Sequence, residues 1–191
     1  FGEADLELLD KNGEKLAILE ALRLSSIEDV YLNIINQAKK YVYITTPYLI
    51  LNQEMQSAIC QAALNGVKIK ILTPHIPDKK MVFQLTRSFY KPLIEAGVEI
   101  YEFTPGFVHA KTFVVDGEMA CVGTINLDYR SLFLHSENAT FLYKVDAIKD
   151  IEEDLVNTFK ISMPYTMEMV KATKLRTRFF RAILRVFAPL M

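Results

Sequence analysis

Apolar side chains recur along this chain at two spacings that take turns. Short apolar runs bounded by Gly, Pro and Asx alternate with longer stretches in which apolar residues return every three or four positions. The first pattern reads as strands and the second as one-sided helices. Ser25 and Glu28 have the spacing of a capping box, and Val30, Ile34, Ile35 and Ala38 then share one face, which predicts a helix running to about Lys40. Residues 41–46 read as a strand. Asn52 caps a second helix that ends at Asn65-Gly66, and residues 67–73 form the next strand. Pro74 and Pro77 punctuate a loop. Asp78 is placed to cap a helix over residues 79–96, with Pro92 as its kink; Gly97 ends it and residues 98–103 follow as a strand. Thr104-Pro105-Gly106 then turns the chain into a hairpin about Asp116-Gly117, the strongest short hairpin signal in the sequence. A short helix or turn over 126–131, a strand over 137–144 and a helix from Asp146 to about Met163 complete the pattern.

This alternation predicts an α/β domain over residues 25–163, built on a mixed, mostly parallel sheet with helices on both faces. Residues 1–24 are acidic at first and helix-like over 14–24, a lead segment whose role stays open. Residues 164–191 read as a basic amphipathic C-terminal helix.

Composition sharpens the picture in three ways. The 191 residues suit one domain, and although 51% of them are hydrophobic, no apolar run reaches the roughly 18 residues a membrane span needs. Cys60 and Cys121 stand without a Cys-x-x-Cys or His cluster, so they read as two buried thiols in a reducing compartment, with no metal and no cofactor called for. Charge is uneven. Of 22 basic and 23 acidic residues, residues 171–191 hold six basic and no acidic ones, which leaves 16 against 23 in residues 1–170. The body is net −7 and the tail +6, which argues against nucleic acid as a partner. On a helical wheel Lys171, Lys174, Arg178, Arg181 and Arg185 form one stripe, with Leu175, Phe179, Ile183 and Val186 on the other side. This is the pattern of a helix lying on an anionic membrane surface. The competing expectation is a helix docked through its apolar side with the basic face in water.

Candidate chemistry concentrates in residues 107–126, FVHAKTFVVDGEMACVGTIN. A period of two puts His109 and Lys111 on one face. With Asp116 and Gly117 as the central turn residues, the register sets His109 beside Thr124; a turn one residue later sets it beside Asn126. Either way a base, a cation, a hydroxyl and an amide meet at the open end of the hairpin. Imidazole attacks phosphorus or moves a proton near neutral pH, a lysine ammonium steadies non-bridging oxygens, and Thr124 and Asn126 add neutral donors. Such a set suits phosphoryl chemistry without metal. Asp116 is read both as a turn residue and as a catalytic member. Gly123 lets the backbone approach the phosphate or takes a positive φ. Glu137, at the start of the next strand, is placed to accept the second N–H of His109. Tyr48 and His75 follow parallel strands and are candidate contacts for a headgroup or acyl chain. His135, Asp128 and Arg130 read as structural.

The spacing His109-x-Lys111-x4-Asp116-x6-Gly123-Thr124-x-Asn126 resembles the signature of the phospholipase D superfamily. The stretches YVYITTPYLI, TPHIPDK, YEFTPGFVHAKTFVVD and GTINLDYRSLFLHSEN resemble the C-terminal half of bacterial cardiolipin synthases, over roughly residues 31–191. The resemblance implies a phosphatidyl transferase that converts two phosphatidylglycerols to cardiolipin and glycerol through a phosphohistidine. It implies two such motifs per active site, of which this chain has one, and an acid at Glu137 that orients the histidine. It also implies an N-terminal half or a homodimer partner carrying the second motif, membrane helices ahead of that half, and a place on the cytoplasmic face of a bacterial inner membrane. The chain, which begins at Phe1, is expected to be a piece of such a protein. A homodimeric single-motif phosphodiesterase and a non-catalytic module that binds anionic phospholipid are the rival expectations.

Overall fold

Val42, Ile44, Ile69, Ile71, Ile100, Phe113 and Val115 sit at alternate positions of neighbouring strands and are all buried in one apolar cluster. The intervening Leu72, Val114 and Ala120 are buried in a second cluster on the other side. Strands apolar on both faces demand cover on both faces, and this dictates the layering. The computed structural model of the chain describes residues 4–9 and 27–190. Strand β1 is Ala4–Leu9, helix α1 Ile27–Gln37, β2 Tyr41–Thr45, α2 Gln53–Leu64, β3 Lys68–Pro74, α3 Lys80–Glu95 and β4 Glu99–Phe103. Then come β5 Thr112–Val115, β6 Met119–Gly123, a π-turn at Arg130–Leu134, β7 Glu137–Tyr143, α4 Ala147–Lys160, β8 Met163–Tyr165, α5 Met167–Ala172 and α6 Leu175–Val186. Buried residues of α1, α2, α3 and α6 fill the first cluster, and Ile148, Leu155 and Phe159 of α4 fill the second.

The sheet runs β1-β7-β6-β5-β2-β3-β4-β8. Its mixed character agrees with the sequence expectation, but its majority does not. Three pairings are parallel, β1 with β7, β2 with β3 and β3 with β4, and four are antiparallel. The departure has two sources: the β5-β6-β7 meander enters antiparallel to β2, with a β5–β6 turn too short for a crossover, and β8 folds back along β4. Residues 4–9 of the lead segment are thus a sheet strand, whereas Ser25 and the helix expected over 14–24 lie outside the described residues. The boundary expected at 164 falls inside β8, and the tail is two helices separated at Thr173 and Lys174 instead of one.

Local signals mostly act where they were read. The Asn52 side chain accepts the Met55 N–H at 2.9 Å and caps α2. Asp78 does not cap α3 through a side-chain bond to its first turn; its carboxylate takes the Lys79 N–H and the Tyr48 hydroxyl instead. Helix α1 stops at Gln37, short of the expected Lys40, because the N–H groups of Lys39, Lys40 and Tyr41 turn away to a carboxylate on the β5–β6 turn. Tyr31 of α1 stacks on Phe113 of β5 at 4.3 Å between ring centres, and fixes that helix over the hairpin. Cys121 is buried and Cys60 only half-buried, both as free thiols; burial pushes the Cys121 thiol up to about 11. No helix among the described residues is long and apolar enough to cross a membrane.

Candidate phosphate site at the open end of the hairpin

Strand β5 runs antiparallel to β2, so its beginning, the end of β6 and the beginning of β7 share one edge with the carboxyl ends of β2, β3 and β4. Asp116 and Gly117 are the central residues of the connecting turn, with φ of 54° and 68°, and the Glu118 N–H closes it on the Val115 carbonyl at 3.0 Å. Glu118 is an extra residue, however, and the ladder pairs Val115 with Met119. A bulge of this kind shifts register by one. Continued, the register sets His109 opposite Ile125, between the two expected alignments, and brings Lys111 opposite Gly123, whose N–H reaches the Lys111 carbonyl at 3.2 Å.

His109 and Lys111 precede the strand, which begins at Thr112. His109 is exposed, its ring stacked on Phe107 at 5.7 Å. Lys111 is 8% exposed and donates from Nζ to the His109 carbonyl at 2.7 Å. Burial lowers the pKa of its ammonium, and the nearby carboxylates of Glu137 and Asp128 partly restore it. A desolvated cation attracts an anion strongly, although the neighbouring carboxylates offset part of that attraction.

The expected donors are close by but already engaged. Thr124 donates its hydroxyl to Glu137 and accepts the Asn138 N–H at 3.0 Å. Asn126 donates from Nδ2 to Ser131 Oγ at 3.0 Å, while its buried Oδ1 lacks a hydrogen bond among the described residues. Glu137 is mostly buried, with Thr124 and His135 as its partners, the latter's Nδ1 at 3.9 Å. The expected bond from Glu137 to His109 is not formed: the His109 ring stacks on Phe107, and the carboxylate takes the Thr124 hydroxyl. Gly123 also differs from expectation. Its φ is not positive, and the close approach it permits is to β7: a Cβ there would lie 2.3 Å from the Asn138 carbonyl and 2.5 Å from Ala139 Cα.

Asp116 stands apart. Five residues of extended chain, about 3.3 Å each, separate it from Lys111, and its carboxylate accepts the Lys39, Lys40 and Tyr41 N–H groups at 2.8, 2.9 and 2.8 Å. Burial alone would raise its pKa; the donations from Tyr41, Lys39 and Lys40 outweigh it and hold the carboxyl below the usual value. The catalytic expectation for Asp116 is therefore corrected to an architectural one, because the carboxylate is remote from His109 and saturated.

Tyr48 and His75 occupy the same edge further along. The Tyr48 hydroxyl bonds Asp78, and burial and that bond raise its pKa. His75 lies beyond β3, two strands from β5 or about 10 Å at the usual strand spacing. Its Nδ1 is 2.8 Å from Glu102, a fully buried carboxylate also bonded by Arg87 at 2.8 and 2.6 Å and by Tyr90 at 3.2 Å. The two residues border the His109 group without joining it. Among the described residues no His, Cys, Asp and Glu side chains gather as a metal site would.

Two residues near the group have partners that were not expected from the sequence. His135, read as structural, is exposed beside Glu137, with Nε2 3.3 Å from Arg130 Nη2. The signal was its i, i+2 spacing from Glu137. Thr46 donates to the Tyr48 carbonyl at 2.7 Å and accepts the Leu127 N–H at 3.2 Å, so it clamps the loop after β2 to the loop that carries Asn126. Asp128 is structural as expected, buried and taking the Ser131 N–H at 2.7 Å.

Residues 31–159 match the family model described as cardiolipin synthase, PLD-like domain. A protein of Streptococcus mutans described as uncharacterized is 50% identical over 164 residues, 86% of this chain and 36% of its own length. The cardiolipin synthase of Geobacillus kaustophilus is 37% identical over 165 residues, 86% of this chain and 33% of its own length. The chain thus spans about a third of the curated relatives it matches. Nuc from Salmonella typhimurium, a phospholipase D family member, superposes with a TM-score of 0.66 at 17% identity, over 76% of this chain and 94% of its own. Phosphatidylserine synthase from Haemophilus influenzae gives 0.62 at 20% identity, over 86% and 42%. At such identities the solved structures speak for the fold, while the family match covers most of the chain and contains the whole hairpin edge: the chain belongs to the family of cardiolipin synthase, phospholipase D-like domains.

Proposed function

We propose that this chain is one catalytic half of a phosphatidyl transferase that joins two phosphatidylglycerols into cardiolipin and releases glycerol. The observation that carries the reading is the gathering of His109, buried Lys111, Thr124, Asn126 and Glu137 at one edge, with one hairpin histidine available. The reaction runs in two displacements. A histidine nitrogen bonds to phosphorus as the bond to the glycerol oxygen breaks, and a second histidine protonates that oxygen. The hydroxyl of another phosphatidylglycerol then gives its proton to the second histidine and bonds to phosphorus as the P–N bond breaks. His109 takes the acid and base role. Lys111 steadies charge on the non-bridging oxygens, with Thr124 and Asn126 assisting from the end of β6. Glu137 accepts the second N–H of His109 when the ring leaves Phe107, and Tyr48 and His75 border the headgroup path.

The attacking and protonating groups must stand on opposite sides of phosphorus, so the second histidine comes from another hairpin. A second chain segment bearing the same motif supplies it, at the cytoplasmic face of the inner membrane. A homodimer is the second reading, favoured by the near end-to-end match with Nuc, whose chain is little more than this fold. The test is to purify residues 1–191, measure the oligomeric state by light scattering and assay glycerol release, alone and with a partner half in trans. A silent monomer that the partner half activates is the expected result. Robust turnover by a demonstrated monomer overturns the two-motif mechanism, turnover confined to a dimer favours the second reading, and lipid binding without turnover in any assembly leaves a binding module.

A further inference from the structure

Helix α6 docks in the orientation opposite to the competing expectation, in which its apolar side would meet the body. The side that meets the body holds Leu184, which is buried, together with Arg181 and Arg185. Arg181 Nε donates to Gln84 at 2.9 Å, Arg185 Nη2 donates to Gln56 at 3.0 Å, and the Arg185 guanidinium lies 4.4 Å from the centre of the Phe89 ring. Directly across the helix, Leu175, Phe179, Ile183 and Val186 fall within an arc of about 80° at 100° per residue. These four are 78%, 70%, 42% and 76% exposed. The apolar stripe therefore points straight away from the protein.

The surface continues past the helix. Phe180 is exposed and lines an apolar groove with Pro77, Lys80, Met81, Phe83 and Gln84, and both Met81 and Ile76 are exposed. This groove borders the loop after β3, the loop that carries His75. An apolar groove thus runs from Phe180 of α6 to the loop that carries His75. The charge of this surface is specific as well. Arg176 and Arg178 flank the stripe on either side, Lys171 and Lys174 precede it, and all four are exposed. Among the described residues none of the four forms an ion pair.

We infer that α6 lies in the surface of an anionic bilayer through Leu175, Phe179, Ile183 and Val186, with Arg176, Arg178, Lys171 and Lys174 on the lipid phosphates and Arg181 and Arg185 retained by the body. Charge selects this occupant. A second copy placing stripe on stripe would bring the flanking arginines together, and the net −7 body of another chain would meet an apolar stripe instead of a cationic one. A sheet of anionic headgroups over an apolar interior complements both the cations and the stripe. The orientation also turns the groove, and with it the site edge, toward lipid. The inference is separable from the transferase reading, because vesicle binding and phosphatidyl transfer can each fail alone.

The chain has no tryptophan, so Phe179→Trp creates a single reporter at an exposed position. With vesicles of equal phosphatidylglycerol and phosphatidylcholine, Trp emission should shift to the blue, and lipids brominated on the acyl chain should quench it. Phe179→Asp/Ile183→Asp, which alters no buried side chain, should lower vesicle co-sedimentation at least tenfold with unchanged thermal unfolding. A blue shift that grows with protein concentration without vesicles overturns the inference in favour of a second copy. Binding without acyl-chain quenching, or equal binding by parent and double variant, overturns it in favour of a purely electrostatic contact.

Discussion

The two ends of the β5–β6 hairpin contain residues of the same spaced motif and use them in opposite ways. At the turn end Asp116 gives its carboxylate to three backbone amides and is held by them, and it ties the turn to the start of β2. At the open end His109 is exposed, and among the described residues Lys111 is a buried ammonium with no side-chain partner and Asn126 has a buried carbonyl oxygen free. Saturation builds structure, whereas unsatisfied capacity close to a cation is what a ligand can use. The lesson is that a motif's spacing records both the chemistry and the scaffold that presents it.

Substitutions should separate the ends. The largest effect expected is on activity: His109→Ala should lower glycerol release by the assembled two-motif enzyme by about a thousandfold or more, yet shift unfolding by less than about 0.5 kcal/mol, since the ring supports no core. Chemical denaturation alongside the assay checks both halves, and a near-normal rate would remove His109 from the site. Asp116→Ala should do the reverse at the protein level and cost about 2 kcal/mol of stability, because it removes three amide bonds to a charge, two of them at exposed positions where water takes over. Equal midpoints in urea for parent and variant would refute that. Gly123→Ala should cost about 2 kcal/mol, since the new Cβ meets the β7 backbone and not a flexible side chain. It should also weaken phosphate binding at Lys111 by displacing Thr124, measurable by calorimetry. The smallest effect is on acid stability. The folded pKa of Asp116 lies below the ordinary 3.8, so its contribution is full above that value and fades as pH falls through the folded pKa. The melting temperature of Asp116→Asn should accordingly fall less steeply than the parent's from pH 5 to pH 2.

Local features were legible because the partners are near in sequence. The Asn52 cap, the Asp116-Gly117 turn and the strand beginning at Glu137 each depend on a few consecutive residues. The bulge at Glu118 was not, since it appears only when β6 aligns with both β5 and β7, where the Lys144 N–H takes the Glu118 carbonyl at 2.7 Å. The candidate site shows the same division. Its members were identified from spacing, but their present partners were not: Thr124 on Glu137, and His135 beside them, follow from where β7 begins relative to the end of β6.

By itself the sequence determined the order and type of the elements from α1 to α4, the mixed α/β class, and the arrival of His109, Lys111, Thr124 and Asn126 at one end of a hairpin. Each of these follows from periodicity or spacing within a few tens of residues. Tertiary structure alone decided that Ala4–Leu9 pairs with β7, that Asp116 serves amides 75 to 77 residues away, and that α6 docks by its arginines. A helical wheel reports which side of α6 is apolar. Which side meets the body depends on Gln56, Gln84 and Phe89, more than ninety residues distant, whose carbonyls and ring accept guanidinium groups.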